Sequence, residues 1–406
     1  MAININTYLI QRNIELQRKG VIAVYLSDAV RDGADQAPIF LQNISKLYEN
    51  FKVVKEVEAS EGIPAVDGVN DSENALRELA VMEYILSQRV PVLAMPNKTD
   101  LTTTLNSLTN VNERFVSIIA PNIEVAIGLT APESLEGDAL TIAEYVEGRD
   151  IKYYIELNIS DVATDLPKLE DKEIVANHKV ELAYGKFYPS FNSNYIEDMS
   201  EFLMPASVLL ATKKSQRIIA DTPWIPVAGE ANGVHREVLK LQYAISEGKK
   251  NILQAYGANV LDLKIGVGHF FMSQNTLVAN REDNKQNYFI RSHIVSLALH
   301  VNEQVRDIAS KFQFVPNNQK TWTSLQVKLE GIFDYLISRD AVESRYVVTG
   351  RHIMNDEDIL EGNLKAVIAY KPVGVTESIL IDLYITNEDI TLEEVTQGVL
   401  PKGVEV

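Results

Sequence analysis

The two glycines of Gly266-Val267-Gly268 are the first place in this sequence where the spacing could indicate a cofactor. A dinucleotide-binding loop would need a third glycine where Phe271 stands, and it would need a helix directly after the loop. The residues that follow instead favour a strand, so a structural turn explains both glycines better. The sequence therefore predicts no nucleotide cofactor here, and we find no other cofactor motif.

Histidines are the next candidates, as ligands of a metal ion. The chain has six: His178, His235, His269, His293, His300 and His352. Only His293 and His300 share a predicted helix face, and they lie two helical turns apart, too far to hold one ion without further ligands. The chain has no cysteine, which excludes thiolate ligands and disulfides. We predict no metal site.

Serine and carboxylate chemistry is the remaining possibility. No Gly-x-Ser-x-Gly segment occurs, and Ser207 stands in an ordinary helical stretch without a recognisable histidine or aspartate partner. Glu393 and Glu394 are adjacent, but they lie in an acidic segment where solvation explains them better than general acid and base roles. The sequence therefore predicts that the protein has no catalytic residues and is not an enzyme.

Composition and charge narrow the class of protein further. The 406 residues are enough for two domains or for one elaborated α/β unit, and a hydrophobic fraction of 46% can supply a full core. A net charge of -18 argues against direct binding of nucleic acid, because phosphate binding needs concentrated lysine and arginine. The first residues show no signal-peptide pattern, and no apolar run is long enough for membrane insertion. Absence of cysteine fits assembly in a reducing cytoplasm.

Strand and helix patterns alternate from Val21 to Ala120, and the signal is weaker between Pro121 and Pro189. Strands are predicted at 21–26, 51–57, 90–95, 115–120, 151–159 and 179–188, and helices at 38–48, 72–88, 101–108 and 196–205. Another helix is ended by Gly257 and followed by a strand from Asn259. Alternation of this kind predicts a parallel sheet covered by helices on both faces.

The segment from Arg281 to Thr386 has a different pattern, with two long amphipathic helices and then strands. The apolar stripe of the first helix is Ile290, Ile294, Leu297, Val301, Val305, Ile308 and Phe312, and that of the second is Leu325, Leu329, Ile332 and Leu336. Pro316 ends the first helix, and an asparagine after it is suited to cap the second. Strands are predicted at 344–349, 363–371 and 377–386, with a helical turn at 356–361.

This order of elements resembles the C-terminal domain of contractile tail sheath proteins, which occur in phages and related injection machines. The residues that carry the resemblance are Asn302-Glu303-Gln304-Val305-Arg306, Phe314-Val315-Pro316-Asn317-Asn318 with Thr321-Trp322, Asn355-Asp356-Glu357-Asp358-Ile359 before Gly362, and Lys371-Pro372 leading into Glu377-Ser378-Ile379. No single motif is diagnostic, and the specificity comes from their order and spacing.

The resemblance implies four parts of the chain. They are an N-terminal arm at 1–20, an α/β outer domain at 21–275 with a parallel-rich sheet and a subtilisin-like shape, an α+β inner polymerisation domain at 276–390, and an acidic C-terminal tail at 391–406. The likeness to subtilisin is one of fold and carries no catalytic implication.

The resemblance also implies a function and partners. Sheath proteins form stacked hexameric rings or a helical array around a tail tube, and they contract to drive the tube through a target cell envelope. Expected partners are further copies of the chain, the tube protein, and the baseplate and tail terminator proteins. The expected location is a virion tail or injection particle that assembles in the host cytoplasm. The alternatives are another tail component, such as a baseplate or tube-associated subunit, and a soluble α/β hydrolase-like enzyme.

Two groups of residues are predicted to make contacts between subunits. The strand arms, which would extend a neighbour's sheet, carry Ile3, Ile5, Ile379, Ile381, Leu383 and Ile385. Arg291 and Arg306 are the candidate tube-facing residues. Segment 281–320 has a charge of +2 and segment 375–406 a charge of -6. These charges are either ordinary solvated surface or complementary patches that set the register between copies.

Overall fold

The computed structural model describes residues 19–29, 37–51, 72–97, 100–108, 114–126, 137–159, 177–196, 198–277 and 288–374. The strands in this part of the chain are β1 (Ile22–Leu26), β2 (Ile39–Leu41), β3 (Val92–Pro96), β4 (Ser117–Ala126), β5 (Lys152–Asn158), β6 (Val180–Tyr184), β7 (Phe187–Pro189), β8 (Val238–Leu241), β9 (Ala258–Lys264), β10 (Gly268–Phe271), β11 (Val342–Thr349) and β12 (Ala366–Pro372).

The helices are shorter on average in the first part of the chain than near its end. They are α1 (Ile44–Asn50), α2 (Glu73–Ser87), α3 (Leu101–Ser107), α4 (Gly137–Glu147), α5 (Ala206–Ile219), α6 (Gly229–Asn232), α7 (Glu247–Ala255), α8 (Ser292–Ser310), α9 (Gln319–Ser338) and α10 (Asp356–Leu360).

An eight-stranded sheet dominates the first part, in the order β10-β9-β6-β5-β4-β1-β3-β2. The six central strands run parallel, and β2 and β10 add antiparallel edges. β1 is buried along its whole length, because its residues are covered from both faces. Helices α2 and α5 pack on one face and α3, α4 and α7 on the other. The predicted parallel-rich α/β sheet is confirmed.

Side-chain caps explain where several helices begin. Ser72 accepts a hydrogen bond from the Ala75 N–H at the start of α2, and Asn318 accepts one from Thr321 at the start of α9. The asparagine cap after Pro316 is the one that the sequence predicts. Both helices thus start at positions set by local chemistry.

Helices α8 and α9 and the β11–β12 hairpin enclose a hydrophobic cluster that is separate from those on the two faces of the large sheet. Leu297 and Val301 of α8 meet Leu329 and Phe333 of α9 in this cluster. Trp224, from the loop after α5, is buried among them although it comes some 70 residues earlier in the chain. The apolar stripes predicted for the two helices therefore form a common core.

Two helix predictions in the α/β part are wrong in their bounds. Residues 39–41 form β2 rather than the start of a helix, and α1 begins only after Asn43, whose side chain accepts from the Lys46 N–H. The helix predicted up to Pro205 instead begins after that proline, which has no N–H to donate and is tolerated at a helix start. Local apolar content indicated helix, but proline and the cap decide where it begins.

Two further elements differ from the sequence prediction. The strand predicted at 179–188 is split into β6 and β7 at Gly185, whose φ of +121° turns the backbone out of the strand. An added Cβ there would lie 3.1 Å from Leu261 Cβ. The sequence pattern predicted no helix where α4 lies. The predicted strand at 377–386 and nearly all of the arm at 1–20 lie outside the described residues.

Candidate assembly surface

The β11–β12 hairpin forms a two-stranded sheet of its own, apart from the eight-stranded sheet. Its two strands pair antiparallel, with Arg345 opposite Tyr370 and Val348 opposite Val367. Within the described part of the chain neither strand pairs with a third one. Both outer edges therefore present unpaired N–H and C=O groups, which can accept an additional strand.

One face of the hairpin is held on α9. Val347 is buried there, and the rings of Phe333 and Tyr370 lie 5.3 Å apart between centroids. Arg345 Nε donates to Asp334 Oδ1 of α9 at 2.8 Å. Apolar packing and this ion pair fix the hairpin, so its free edges have a defined position.

The other face of the hairpin is open to solvent. Tyr346 is 60% exposed and Val367 is 48% exposed, and the side chains of β12 are exposed or half-buried throughout. A two-stranded sheet is only marginally stable by itself, and exposed aromatic and β-branched residues suit a strand interface. The hairpin has the properties of an acceptor for a strand from elsewhere.

The turn between α8 and α9 projects a second apolar feature. Phe314 has a φ of +60° and a fully exposed side chain, and Val315 beside it is 43% exposed. The turn is fixed from behind, because Trp322 Nε1 donates to Asn317 Oδ1 at 2.6 Å. An ordered turn that exposes a phenylalanine is a candidate contact surface.

A buried polar cluster joins the sheet to the start of α8. Lys152 Nζ lies 2.7 Å from Glu181 Oε1 and donates to Ser292 Oγ at 3.0 Å and to Ser296 Oγ at 2.8 Å. Lys214 Nζ, from α5, donates to Ser292 Oγ at 2.7 Å. The first turn of α8 is thus bonded to three elements of the α/β part.

Electrostatics in this cluster favour a charged Glu181. Burial by itself raises the pKa of this carboxyl. The ammonium groups of Lys152 and Lys214 lower the pKa by more than burial raises it, so the pKa lies below its usual value. Burial lowers the pKa of Lys214 to about 7. Sequence reasoning missed these residues, although a lysine inside the apolar run 151–159 was a usable signal for a buried partner.

The structure separates the two arginines predicted to face a tube. Arg306 is 72% exposed and forms an ion pair with Asp150 of the α/β part. Arg291 is half-buried at the start of α8, about 22 Å away along the helix axis. They do not form one patch. The predicted arm residues, Ile3, Ile5, Ile379, Ile381, Leu383 and Ile385, lie outside the described residues.

The serine and the glycines that we considered for catalysis and cofactor binding lie at a helix start and in a turn. Ser207 lies in the first turn of α5, not in mid-helix, where its N–H donates to Glu156 Oε2 at 2.9 Å. Gly266 and Gly268 have positive φ angles in the turn between β9 and β10.

Across the described ranges, no cluster of three or more His, Asp or Glu residues could hold a metal ion. None of the helices described has the length and apolarity needed to cross a bilayer.

Sequence comparison and structural comparison give different results. No family model matches this chain, and no curated protein matches it in sequence. A sheath-complex chain of an extracellular contractile injection system, PVC, in the contracted state matches with a TM-score of 0.67 and 12% identity, over 92% of this chain and 93% of that chain.

Two further solved structures extend the comparison. A chain of the anti-feeding prophage baseplate matches with a TM-score of 0.65 and 12% identity, over 91% of this chain and 94% of that chain. A sheath tail protein from Listeria innocua matches with a TM-score of 0.53 and 8% identity, over 89% of this chain and 99% of that chain. The chain has the fold of contractile sheath proteins, and the resemblance predicted from the sequence is confirmed at the level of fold.

Proposed function

We propose that this chain is the structural subunit of a contractile tail sheath, which polymerises around an inner tube and contracts to drive that tube through a target cell envelope. The observation that carries the proposal is the match to a contracted sheath complex over 92% of this chain and 93% of that chain. At 92% coverage, such a match extends over both the sheet and the C-terminal helices of this chain. It is more specific than a match to one common α/β domain.

Strands exchanged between neighbouring copies hold the polymer together in this proposal. The free edges of β11 and β12 and the exposed face with Tyr346 and Val367 support an acceptor role. The donor strands are the arms that carry Ile3, Ile5, Ile379, Ile381, Leu383 and Ile385. An added strand satisfies the backbone groups of the edge, and its alternate side chains provide specificity. Such a strand also keeps copies attached while their domains rotate.

The proposal keeps the division into an arm at 1–20, an outer domain at 21–275, an inner domain at 276–390 and an acidic tail at 391–406. The separate hydrophobic cluster of α8, α9 and the hairpin supports it. Trp224 packs in that cluster from the outer segment, so the two domains share a core contact.

Partners and location follow from the same assignment. The inner domain, with Arg291 and Arg306, faces the tail tube protein, and the ends of the array meet the baseplate and tail terminator proteins. The array is built from stacked hexameric rings or a helix, in a virion tail or injection particle assembled in the host cytoplasm. Since the sequence predicts no nucleotide site, the energy of contraction is stored in a metastable extended array.

A baseplate component of the same kind of machine is the second candidate, because a chain of a baseplate structure also matches with a TM-score of 0.65. Electron microscopy of the purified full chain, alone and with tube protein, tests both. Long striated tubes support the sheath assignment, and isolated rings of fixed size favour a baseplate component. Dispersed monomers under both conditions would overturn both assignments.

A further inference from the structure

A cleft of about 440 Å³ lies between helix α8 and the beginnings of strands β4 and β5. Its walls come from Ser117 and Lys152 on the strands, from Ser215 and Ile218 in the second half of α5, and from Leu299 in the middle of α8. The cleft therefore lies where the α/β sheet meets the C-terminal helices.

The inner lining of the cleft is mostly apolar. Tyr154, Ile218 and Leu299 contribute hydrocarbon surface. Ser117 Oγ and Ser215 Oγ are buried, and neither has a hydrogen-bond partner among the described residues. The surface that the cleft offers to an occupant is therefore mainly hydrocarbon.

Charged groups at the rim of the cleft are already paired within the protein. Arg306 pairs with Asp150, and Arg114 Nη1 lies 3.3 Å from Asp307 Oδ1 and 3.7 Å from Glu303 Oε1. Arg149, also in the lining, lies with its guanidinium 3.8 Å from the centroid of the Tyr145 ring and donates to the Tyr145 carbonyl at 2.7 Å. The cleft thus suits an uncharged, apolar group.

The described chain begins at the mouth of this cleft. Lys19 Nζ lies 2.6 Å from Asp221 Oδ1, and that same oxygen lies 3.9 Å from Nε2 of His300, a residue of the cleft wall. Gly20 fixes the chain there, because its φ is +74° and an added Cβ would lie 2.6 Å from Ile219 Cγ1. The segment before Lys19 therefore starts from a fixed point beside the cleft.

We propose that the side chain of Leu16, from the same chain, fills the cleft. Leu16 is three residues from Lys19, so its Cα can lie at most about 10 Å from that fixed point. Ile14 and Leu16 alternate with Glu15 and Gln17, so an extended segment directs both apolar residues to one side. Removing leucine from water into an apolar cleft is favourable.

This anchor defines where an N-terminal arm becomes free. Residues 1–15 precede it, and 15 extended residues span at most about 54 Å. The inference does not rest on the proposed function, because occupation of the cleft can be measured in a single chain. A protein that never forms sheaths could still have Leu16 in this position.

Cysteine cross-linking tests the position directly, because the natural chain has no cysteine. In the full chain carrying Leu16→Cys and Leu299→Cys, we expect a short bismaleimide to give an internally cross-linked monomer. Leu16→Cys with Leu263→Cys is the matched control, since Leu263 is half-exposed on β9, outside the cleft. Equal cross-linking of both pairs, or none for the first pair, would overturn the proposal.

Mixing two single variants shows which copy supplies Leu16. If Leu16→Cys chains and Leu299→Cys chains gave covalent dimers more readily than the double variant gives cross-linked monomers, the occupant would be a neighbouring copy, contrary to the proposal.

A second measurement uses the melting temperature of the full chain. We expect Leu16→Asp to lower it by about 2–6 °C and Gln17→Asp to leave it unchanged. Equal melting temperatures for these variants would contradict the proposed burial.

Discussion

Lys152 Nζ lies 2.7 Å from Glu181 Oε1, and both side chains are almost completely buried beneath the first turn of α8. Lys152 also donates to the Ser292 carbonyl at 2.9 Å, so this ion pair between two strands is bonded directly to the backbone of α8. A buried ion pair adds little net stability when complete, but loss of one member leaves a buried charge. We therefore expect this pair to contribute to the attachment of α8 to the sheet.

Replacing Lys152 by methionine tests that role. We expect Lys152→Met to lower the free energy of unfolding by about 3–5 kcal/mol, because Glu181 loses its closest cation. Denaturant unfolding of the full chain measures the change. The control is Lys46→Met, which removes a half-exposed pair with Glu49 and should cost no more than about 1 kcal/mol. Equal losses for the two variants would show that the buried pair has no special role.

Glu156 predicts a pH dependence of stability. Burial raises the pKa of this carboxyl to about 8 from 4.5, and its Oε1 has no hydrogen-bond partner in the described part of the chain. Between these pH values the folded chain keeps a proton that the unfolded chain has lost, so the free energy of unfolding falls as pH rises. Glu156→Gln removes this titration and keeps an acceptor for the Ser207 N–H.

The measurement is denaturant unfolding at several pH values from 4.5 to 8.5. Glu156→Gln should gain stability relative to the natural chain across that range, by on the order of 5 kcal/mol at the upper end. Glu49→Gln, at an exposed position, is the control and should follow the natural chain. Parallel curves for Glu156→Gln and the natural chain would mean that Glu156 is already ionised at pH 5.

Much of the fold follows from local signals in the sequence. The alternation of apolar strands with amphipathic helices was sufficient to predict the parallel sheet, and the stripe through Leu325, Leu329 and Leu336 was sufficient for α9. Asn318 and Gly257 marked a helix start and a helix end. These signals act within a few residues, so no tertiary information is needed.

The parts that sequence reasoning missed depend on contacts between distant residues. Lys152 and Ser292 are 140 positions apart, and nothing in either local pattern indicates that they meet. The same holds for Trp224, which packs with α8 and α9 rather than with its sequence neighbours. The outer edges of β11 and β12, which are unpaired within the described residues, are likewise a property of sheet order, which no single strand pattern contains.

Strand exchange predicts that the arms are needed for assembly and not for folding. Deleting Met1 to Tyr8 should leave a monomer with unchanged circular dichroism that forms no tubes, because the donor strand is lost. Ile381→Lys should also prevent tubes, since it places a charge on the apolar face of the predicted strand at 377–386. Asp382→Lys, on the opposite face, is the matched control and should assemble. Long, regular tubes from the truncated chain would rule out the N-terminal arm as a donor.

Charge reversal on α8 tests the predicted contact with a tube. Arg306 is 72% exposed, so Arg306→Glu should change the free energy of unfolding by no more than about 1 kcal/mol despite the lost pair with Asp150. We expect this variant, alone or with Arg291→Glu, to reduce cosedimentation of the chain with tube protein several-fold. The reduction should shrink at high salt, because screening weakens contacts between exposed charges. Lys46→Glu, on α1 of the α/β part, is the control and should bind the tube normally. Normal cosedimentation of both arginine variants would place the tube contact elsewhere, with the exposed turn at Phe314 as the next surface to change.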